Sequence, residues 1–302
     1  MTMPHPIPYQ GSKRQLAAMI LRYLPAQVDA LIEPFAGSGA LSIAAVYQGC
    51  CERIILNDIN PALMTLWQFI VNEPERLSDF YERLWQAQVG RERSFYDLVR
   101  KRFNQTQHPG YFLYLLARCV KASVRYNAQG EFNQSPDNRR KGRQPEKMRD
   151  DILQVARLLQ QRITLLNHDY RTVVKIATPD DVIYFDPPYQ GVCASGDPRY
   201  FTTIDYDIFV DELRQLNNRR IPFIVSYDGR TGQKKFGQPL PISLNLTHIE
   251  LDAGRSSQAT LLGRVERTYE SLYLSPALTA KIDTPLFDTQ SIRQLALFED
   301  MT

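Results

Sequence analysis

Residues 183–189 read Ile-Tyr-Phe-Asp-Pro-Pro-Tyr, an apolar run that stops in Asp186-Pro187-Pro188-Tyr189. Proline fixes φ and has no amide hydrogen, so a strand ladder does not continue through it. Each prolyl carbonyl nevertheless remains an acceptor. The tetrapeptide therefore presents a carboxylate, carbonyl oxygens and an aromatic face in one rigid turn. That set suits a flat heterocycle carrying an exocyclic NH2 group, and adenine is such a ligand. The same four residues also describe an ordinary Pro-Pro turn with a surface Asp.

A second chemical cluster lies about 150 residues earlier, in Glu33-Pro34-Phe35-Ala36-Gly37-Ser38-Gly39. Gly37 and Gly39 permit close backbone approach of a ligand at the carboxyl end of a strand. Asp58 stands 19 positions after Gly39, at the end of a second strand, where an acidic side chain is placed for ribose hydroxyls. The third glycine of a dinucleotide fingerprint is missing and no pyrophosphate cradle is evident, so a hydride-transferring dehydrogenase is not expected. An adenosine cofactor without phosphates, S-adenosylmethionine, fits better.

The elements that must position these residues follow from periodicity and turn chemistry. Ser12 and Gln15 suggest a capping box for a helix over 12–24. Residues 29–35 and 53–56 read as buried strands separated by a helix ending near Tyr47, and Asn60-Pro61 starts another helix. Helices follow near 74–88, 94–105 and 110–122, then a polar, basic stretch over 124–147 that is long for a mere connection. After 150 the alternation resumes, with a helix through Ile163, strands at 163–166 and 182–185, a helix over 206–219 and a strand at 223–226. Segments 242–251 and 268–274 read as a closing hairpin. The expected fold is α/β, Rossmann-like and doubly wound, with a mostly parallel sheet and a C-terminal antiparallel hairpin. Residues 1–62 and 150–302 form the catalytic domain, and 63–149 an inserted, mainly helical module.

The 302 residues are 43% apolar and 23% charged, a globular composition. No apolar run reaches the roughly 20 residues of a membrane helix, and the polar N-terminus does not resemble a signal peptide. Cys50, Cys51, Cys119 and Cys193 lack zinc-ligand spacing, so no metal and a reducing, cytoplasmic setting are expected. Net charge is +3, yet residues 91–149 alone carry +9, leaving −6 for the rest. Such a segment fits either a polyanion footprint or a solvated charged face.

With these residues in view, the chain resembles the Dam-type DNA adenine-N6 methyltransferases. Tyr9-Gln10-Gly11-Ser12-Lys13 is similar to their N-terminal cofactor motif, Glu33 to Gly39 to their glycine loop, Asn57-Asp58 to their acidic strand end, and Asp186 to Tyr189 to their catalytic tetrapeptide. The resemblance implies that Tyr9, Lys13, Glu33, Pro34, Phe35, Gly37, Gly39, Asp58, Asp169 and Asp186 bind S-adenosylmethionine, with Asp169 near its adenine ring. Asp186, Pro187, Pro188 and Tyr189 would act on a base flipped from the duplex, as such chemistry requires. Phe201-Thr202 resembles a further motif beside the target base. A prokaryotic or phage origin and a cognate restriction endonuclease as partner are implied only by the resemblance, and a monomer is expected.

Arg125-Tyr126-Asn127-Ala128-Gln129-Gly130-Glu131-Phe132-Asn133 resembles the family's recognition hairpin, and the sequence then departs from it. The recognition sequence is therefore left unassigned. Arg139, Arg140, Lys141 and Arg143 suit phosphates of double-stranded DNA; Arg125, Asn127, Gln129 and Asn133 suit base edges. Tyr126 is placed either to wedge into the base stack or to pack on the module's core. Cytosine-N4 methylation is the nearest rival, since the same acceptors serve any exocyclic ring amine. RNA methylation and a catalytically inactive DNA-binding module are the others.

Overall fold

The computed structural model describes residues 3–188, 204–232, 234–255 and 267–282. Strands β1 (Ala30–Glu33), β2 (Arg53–Asn57), β3 (Ile163–Leu166), β4 (Val182–Phe185), β5 (Phe223–Thr231), β7 (Thr247–Arg255) and β8 (Arg267–Leu274) lie in the order β3-β2-β1-β4-β5-β8-β7. A short β6 (Lys234–Phe236) pairs with β5 outside this path. The first five strands are parallel, and β8 and β7 close the sheet antiparallel.

The strands sort their side chains with period two. Leu31, Val182, Tyr184 and Ile224 face one hydrophobic cluster, whereas Ala30, Ile32, Ile183, Phe185, Phe223 and Val225 face the other. Both β1 and β4 are buried along their whole length, which explains why these segments read as continuous apolar runs. The second face is covered by α9 (Tyr206–Asn218), through Phe209, Val210, Leu213 and Leu216.

The first face carries α1 (Ala17–Leu21), α2 (Ala40–Tyr47), α3 (Pro61–Asn72) and the inserted helices α4 (Pro74–Ala87), α5 (Glu92–Thr106) and α6 (Pro109–Arg118). Asn60 caps α3 by accepting from the Ala62 and Leu63 amides, with Pro61 in the first turn. Phe103, Phe112 and Phe132 pack as a stacked pair with an edge-on third ring. They belong to the same cluster as Leu31 and Ile54 of the sheet. Residues expected to form an inserted module thus share one core with the sheet. Helix α7 (Pro145–Leu159) packs against α2, α3 and α4, so the expected division between residues 149 and 150 falls inside a helix.

Three expectations are corrected. The helix over 12–24 is a 3-10 turn (Lys13–Gln15) followed by the short α1, and Ser12 makes no cap; its hydroxyl instead accepts from Ser38 Oγ at 2.8 Å. The strand at 223–226 runs on to Thr231. Residues 242–244 form a 3-10 turn, and β7 begins only at Thr247. Among the described residues no helix is long and apolar enough to cross a membrane.

Candidate active site

The strand order places β1 beside β4, with β1 turning back toward β2 and β4 toward β5. A crevice opens at the carboxyl ends of strands at such a reversal. The loop after β1 and the turn after β4 therefore meet, although about 150 residues separate them. Together they line a cleft of about 380 Å3.

Asn57 organises its floor. This buried side chain donates to the carbonyls of Pro34 and His168, and accepts from the His168 amide at 2.8 Å. One amide group thus ties the end of β2 to the segments that follow β1 and β3. Asp58 accepts from Gly37 N at 3.1 Å and Asn60 N at 2.9 Å. Burial pushes its carboxyl up to about 6, against the pull of those two amides. Glu33 is buried, with Oε1 accepting from Ser42 N at 2.7 Å, and burial raises it to about 7.

Tyr9, Lys13, Glu33, Pro34, Phe35, Gly37, Asp58, Asp169, Asp186, Pro187 and Pro188 all line the cleft. Gly39 does not. Its φ of 58° turns the chain into α2, and a Cβ there would stand 2.8 Å from Cζ2 of Trp67. Gly39 is required by packing, while Trp67 Nε1 braces the loop by donating to Gly37 O at 3.1 Å. Tyr189 and Phe201-Thr202 lie outside the described residues.

Lys13 lines the cleft, but its ammonium is committed to carboxylates: 3.1 Å from Asp186 Oδ1 and 3.0 Å from Glu270 Oε2 on β8. Burial opposes its charge, yet Asp186 and Glu270, with Tyr184, hold it firmly protonated. Asp169 caps α8 (Tyr170–Val173) and is gripped by Arg171, Nε to Oδ1 at 2.8 Å and Nη2 to Oδ2 at 2.9 Å. Hydrogen bonding from Arg171 lowers its carboxyl below the ordinary value. Tyr170 stacks obliquely on Phe35 at 5.1 Å, and its hydroxyl has no partner among the described residues.

The chemistry of this lining fits a cationic nucleoside. Its carboxylates can accept from hydroxyl and ammonium groups, and its aromatic wall can hold a ring. The cations Lys13 and Arg171 are already paired with carboxylates, which disfavours a polyphosphate. Sequence reasoning missed Tyr170, Tyr184, Trp67 and Glu270. Tyr170 adjoins Asp169 and was within reach of pattern reading; Glu270 sits in an antiparallel strand with no motif around it.

The hairpin rises from the rim of the cleft, where Val124 contributes to the lining and Gln10 N donates to Ala122 O. Its arms pair at Tyr126 and Phe132, and Asn133 N donates to Arg125 O. Tyr126 packs edge-on against Phe132 and hydrogen bonds with Asn60 at 3.2 Å, which favours core packing over wedging. Asn127, expected at a base edge, organises the turn. Its Oδ1 accepts from the amides of Gln129 and Glu131, and its Nδ2 donates to Glu131. Arg143, expected at a phosphate, is held by the His5 carbonyl and Asp151. Lys141 approaches Glu92 at 3.5 Å while remaining 62% exposed.

Gln129 and Asn133 are exposed and make no side-chain hydrogen bond among the described residues. Arg125 is half-buried. Arg139 and Arg140 are 90% and 73% exposed, loosely tethered to Asp137.

A family model described as D12 class N6 adenine-specific DNA methyltransferase matches residues 9–251. Among similar proteins, a DNA adenine methylase of Vibrio cholerae is 31% identical over 60% of this chain and 63% of its own length. A DNA adenine methylase of Serratia marcescens is 29% identical over 72% of this chain and 81% of its own. The type II methyltransferase M.MjaIII of Methanocaldococcus jannaschii is 26% identical over 66% and 73%. The chain thus spans somewhat less than two thirds of the Vibrio protein's length.

Proposed function

The chain belongs to the D12 class N6 adenine-specific DNA methyltransferase family, and from that premise we propose that it methylates N6 of an adenine flipped out of double-stranded DNA, with S-adenosylmethionine as donor. The observation that carries the reading is the meeting of the Asp186 turn and the Gly37 loop on one cleft, with the hairpin at its rim. When bound, S-adenosylmethionine supplies a methyl group on a positively charged sulfonium.

The residues divide the remaining work. Asp58 takes the ribose hydroxyls with the lone pairs left by its two backbone bonds. Phe35 and Tyr170 hold the cofactor's ring, and Asp169 accepts from its amino group once Arg171 shares the carboxylate. Glu33 and the Gly37 loop serve the amino-acid end, with Tyr9 covering it. Asp186 and the Pro187 carbonyl each accept an N–H bond from the target amine, which biases that nitrogen toward a tetrahedral form with its lone pair directed at the donor. Tyr189 stacks on the flipped base. Alignment of this kind contributes up to ~7–11 kcal/mol.

Residues 63–149 serve as the target-recognition module, reading base edges with Arg125, Gln129 and Asn133 and gripping phosphates with Arg139, Arg140 and Lys141. The protein works as a monomer in DNA marking or restriction–modification. The test is to incubate purified protein and S-adenosylmethionine with unmethylated plasmid, then digest the DNA for nucleoside mass analysis. N6-methyladenine is expected; N4-methylcytosine would overturn the assignment of the base, and unmodified DNA the whole reading. Single-molecule sequencing of the same DNA yields the site.

A further inference from the structure

Glu270 belongs to no motif, yet it completes a charge triad, buried at Lys13 and half-buried at the two carboxylates, at the mouth of the catalytic turn. Lys13 comes from the N-terminal 3-10 turn, Asp186 from the end of β4 and Glu270 from β8, two strands away in the sheet. The reach across β5 has a structural cause. Pairing of β5 with β8 slips between Ser226 and Gly229, and Glu270 stands opposite Gly229. Such bulges bend a strand and re-aim its side chains. A side chain at 229 would come within 2.5 Å of the Tyr269 carbonyl, so only glycine lets β8 lie this close. Ser226 Oγ then donates to Glu270 Oε2 at 3.1 Å and orients it.

We infer that Glu270 is a positioning residue for methyl transfer: it holds Lys13 against Asp186 and supplies the negative charge that leaves the triad complementary to a cationic donor. Glu270 adds one negative charge beside Lys13 and Asp186, which favours a cationic sulfonium over a neutral ligand. The three side chains are 5%, 20% and 21% exposed, so water screens the field weakly. Lys13 fastens one oxygen of Asp186, limiting rotation of the carboxylate that receives the amine. The inference rests on the methyl-donor reading of the cleft.

Two ligands of nearly the same shape separate the roles. Sinefungin bears an ammonium where the donor bears its sulfonium, and S-adenosylhomocysteine is neutral there. For the full-length protein, Glu270→Gln is expected to lower the ratio of sinefungin to S-adenosylhomocysteine affinity about five- to tenfold by calorimetry, through loss of one nearby unit charge. The single-turnover rate with DNA should fall at least ~10-fold, while the DNA dissociation constant stays within about threefold. Glu270→Asp keeps the charge but withdraws it from Lys13, so the ligand ratio should hold within about twofold while the rate still falls. A merely structural role would move both ligand affinities together. Wild-type protein that binds neither ligand refutes the donor reading and the inference with it. Wild-type protein that binds both, with a ratio unmoved by Glu270→Gln, overturns the inference alone. If the Gln variant fails to fold, a wild-type rate in Glu270→Asp overturns it.

Discussion

Replacing Gly39 with alanine would set a methyl group 2.8 Å from Cζ2 and 3.1 Å from Cη2 of Trp67, and 3.2 Å from Cδ1 of Leu56. Trp67 and Leu56 are fully buried, so neither ring nor methyl has open space to enter. Overpacking of this kind costs ~1–3 kcal/mol. The left-handed backbone at 39, φ 58°, adds ~1–2 kcal/mol for a residue with a Cβ. The sum is about 2–5 kcal/mol, and any shift of Trp67 also strains its bond to Gly37 O. Gly37→Ala is the control. There φ is 48° and the nearest atom is Tyr9 Cε1 at 3.2 Å, on a half-buried ring at the cleft rim that can give way. Its cost should be ~1–2 kcal/mol, with the larger effect on ligand binding. At roughly 2 °C per kcal/mol for a chain of this size, Gly39→Ala should melt about 4–10 °C below wild type. Gly37→Ala should lose about 2–4 °C and bind S-adenosylhomocysteine more weakly than Gly39→Ala does. A Gly39→Ala protein melting within about 1 °C of wild type, or less stable behaviour from Gly37→Ala, would refute the assignment of Gly39 to packing.

Asp186→Ala should abolish methyl transfer while S-adenosylhomocysteine affinity stays near wild type; normal turnover would remove Asp186 from the chemistry. Neutralising Arg139 and Arg140 together should weaken DNA binding and reduce the slope of log K against log salt by ~2, near 0.9 per phosphate contact. An unchanged slope would take both off the phosphates. Asn127→Ala should loosen the hairpin, seen as faster amide exchange at residues 129 and 131, and blunt sequence preference with little change in the salt slope. Glu33 holds its proton more tightly folded than unfolded, with a value of about 7. Its contribution to stability is therefore full below about pH 4.5 and lost as pH rises through 7. Relative to Glu33→Gln, wild type should lose roughly 2–3 kcal/mol between pH 5 and 8; parallel melting curves for the two proteins across that range would contradict the buried placement.

Most elements were legible because their signals are local. Asn60-Pro61 starts a helix with its own side chain and ring, and the apolar runs at 30–33 and 182–185 are long enough only for buried strands. Residues of both clusters that the sequence singled out line the cleft. The first helix was misread because Ser12 and Gln15 match a cap on paper, whereas the Ser12 hydroxyl is occupied by Ser38, 26 residues away. The fold's use of Asn127 and Arg143 was not legible because their residue types suit DNA equally well. Only their neighbours in space, the amides of the turn and Asp151, show that they are already engaged.

Read by itself, then, the chain determined a mostly parallel sheet, and it pointed to residues expected to hold an adenosine and grip an amino group and to the basic loop set between them. Tertiary structure alone decided which of those groups meet and which are spent on the fold. Gly39 answers to Trp67, and Lys13 answers to a glutamate two strands away. The reason is one of range: caps, turns and periodicity act within a few residues. The pairing of charges depends on strand order and on a one-strand bulge, and neither leaves a local trace.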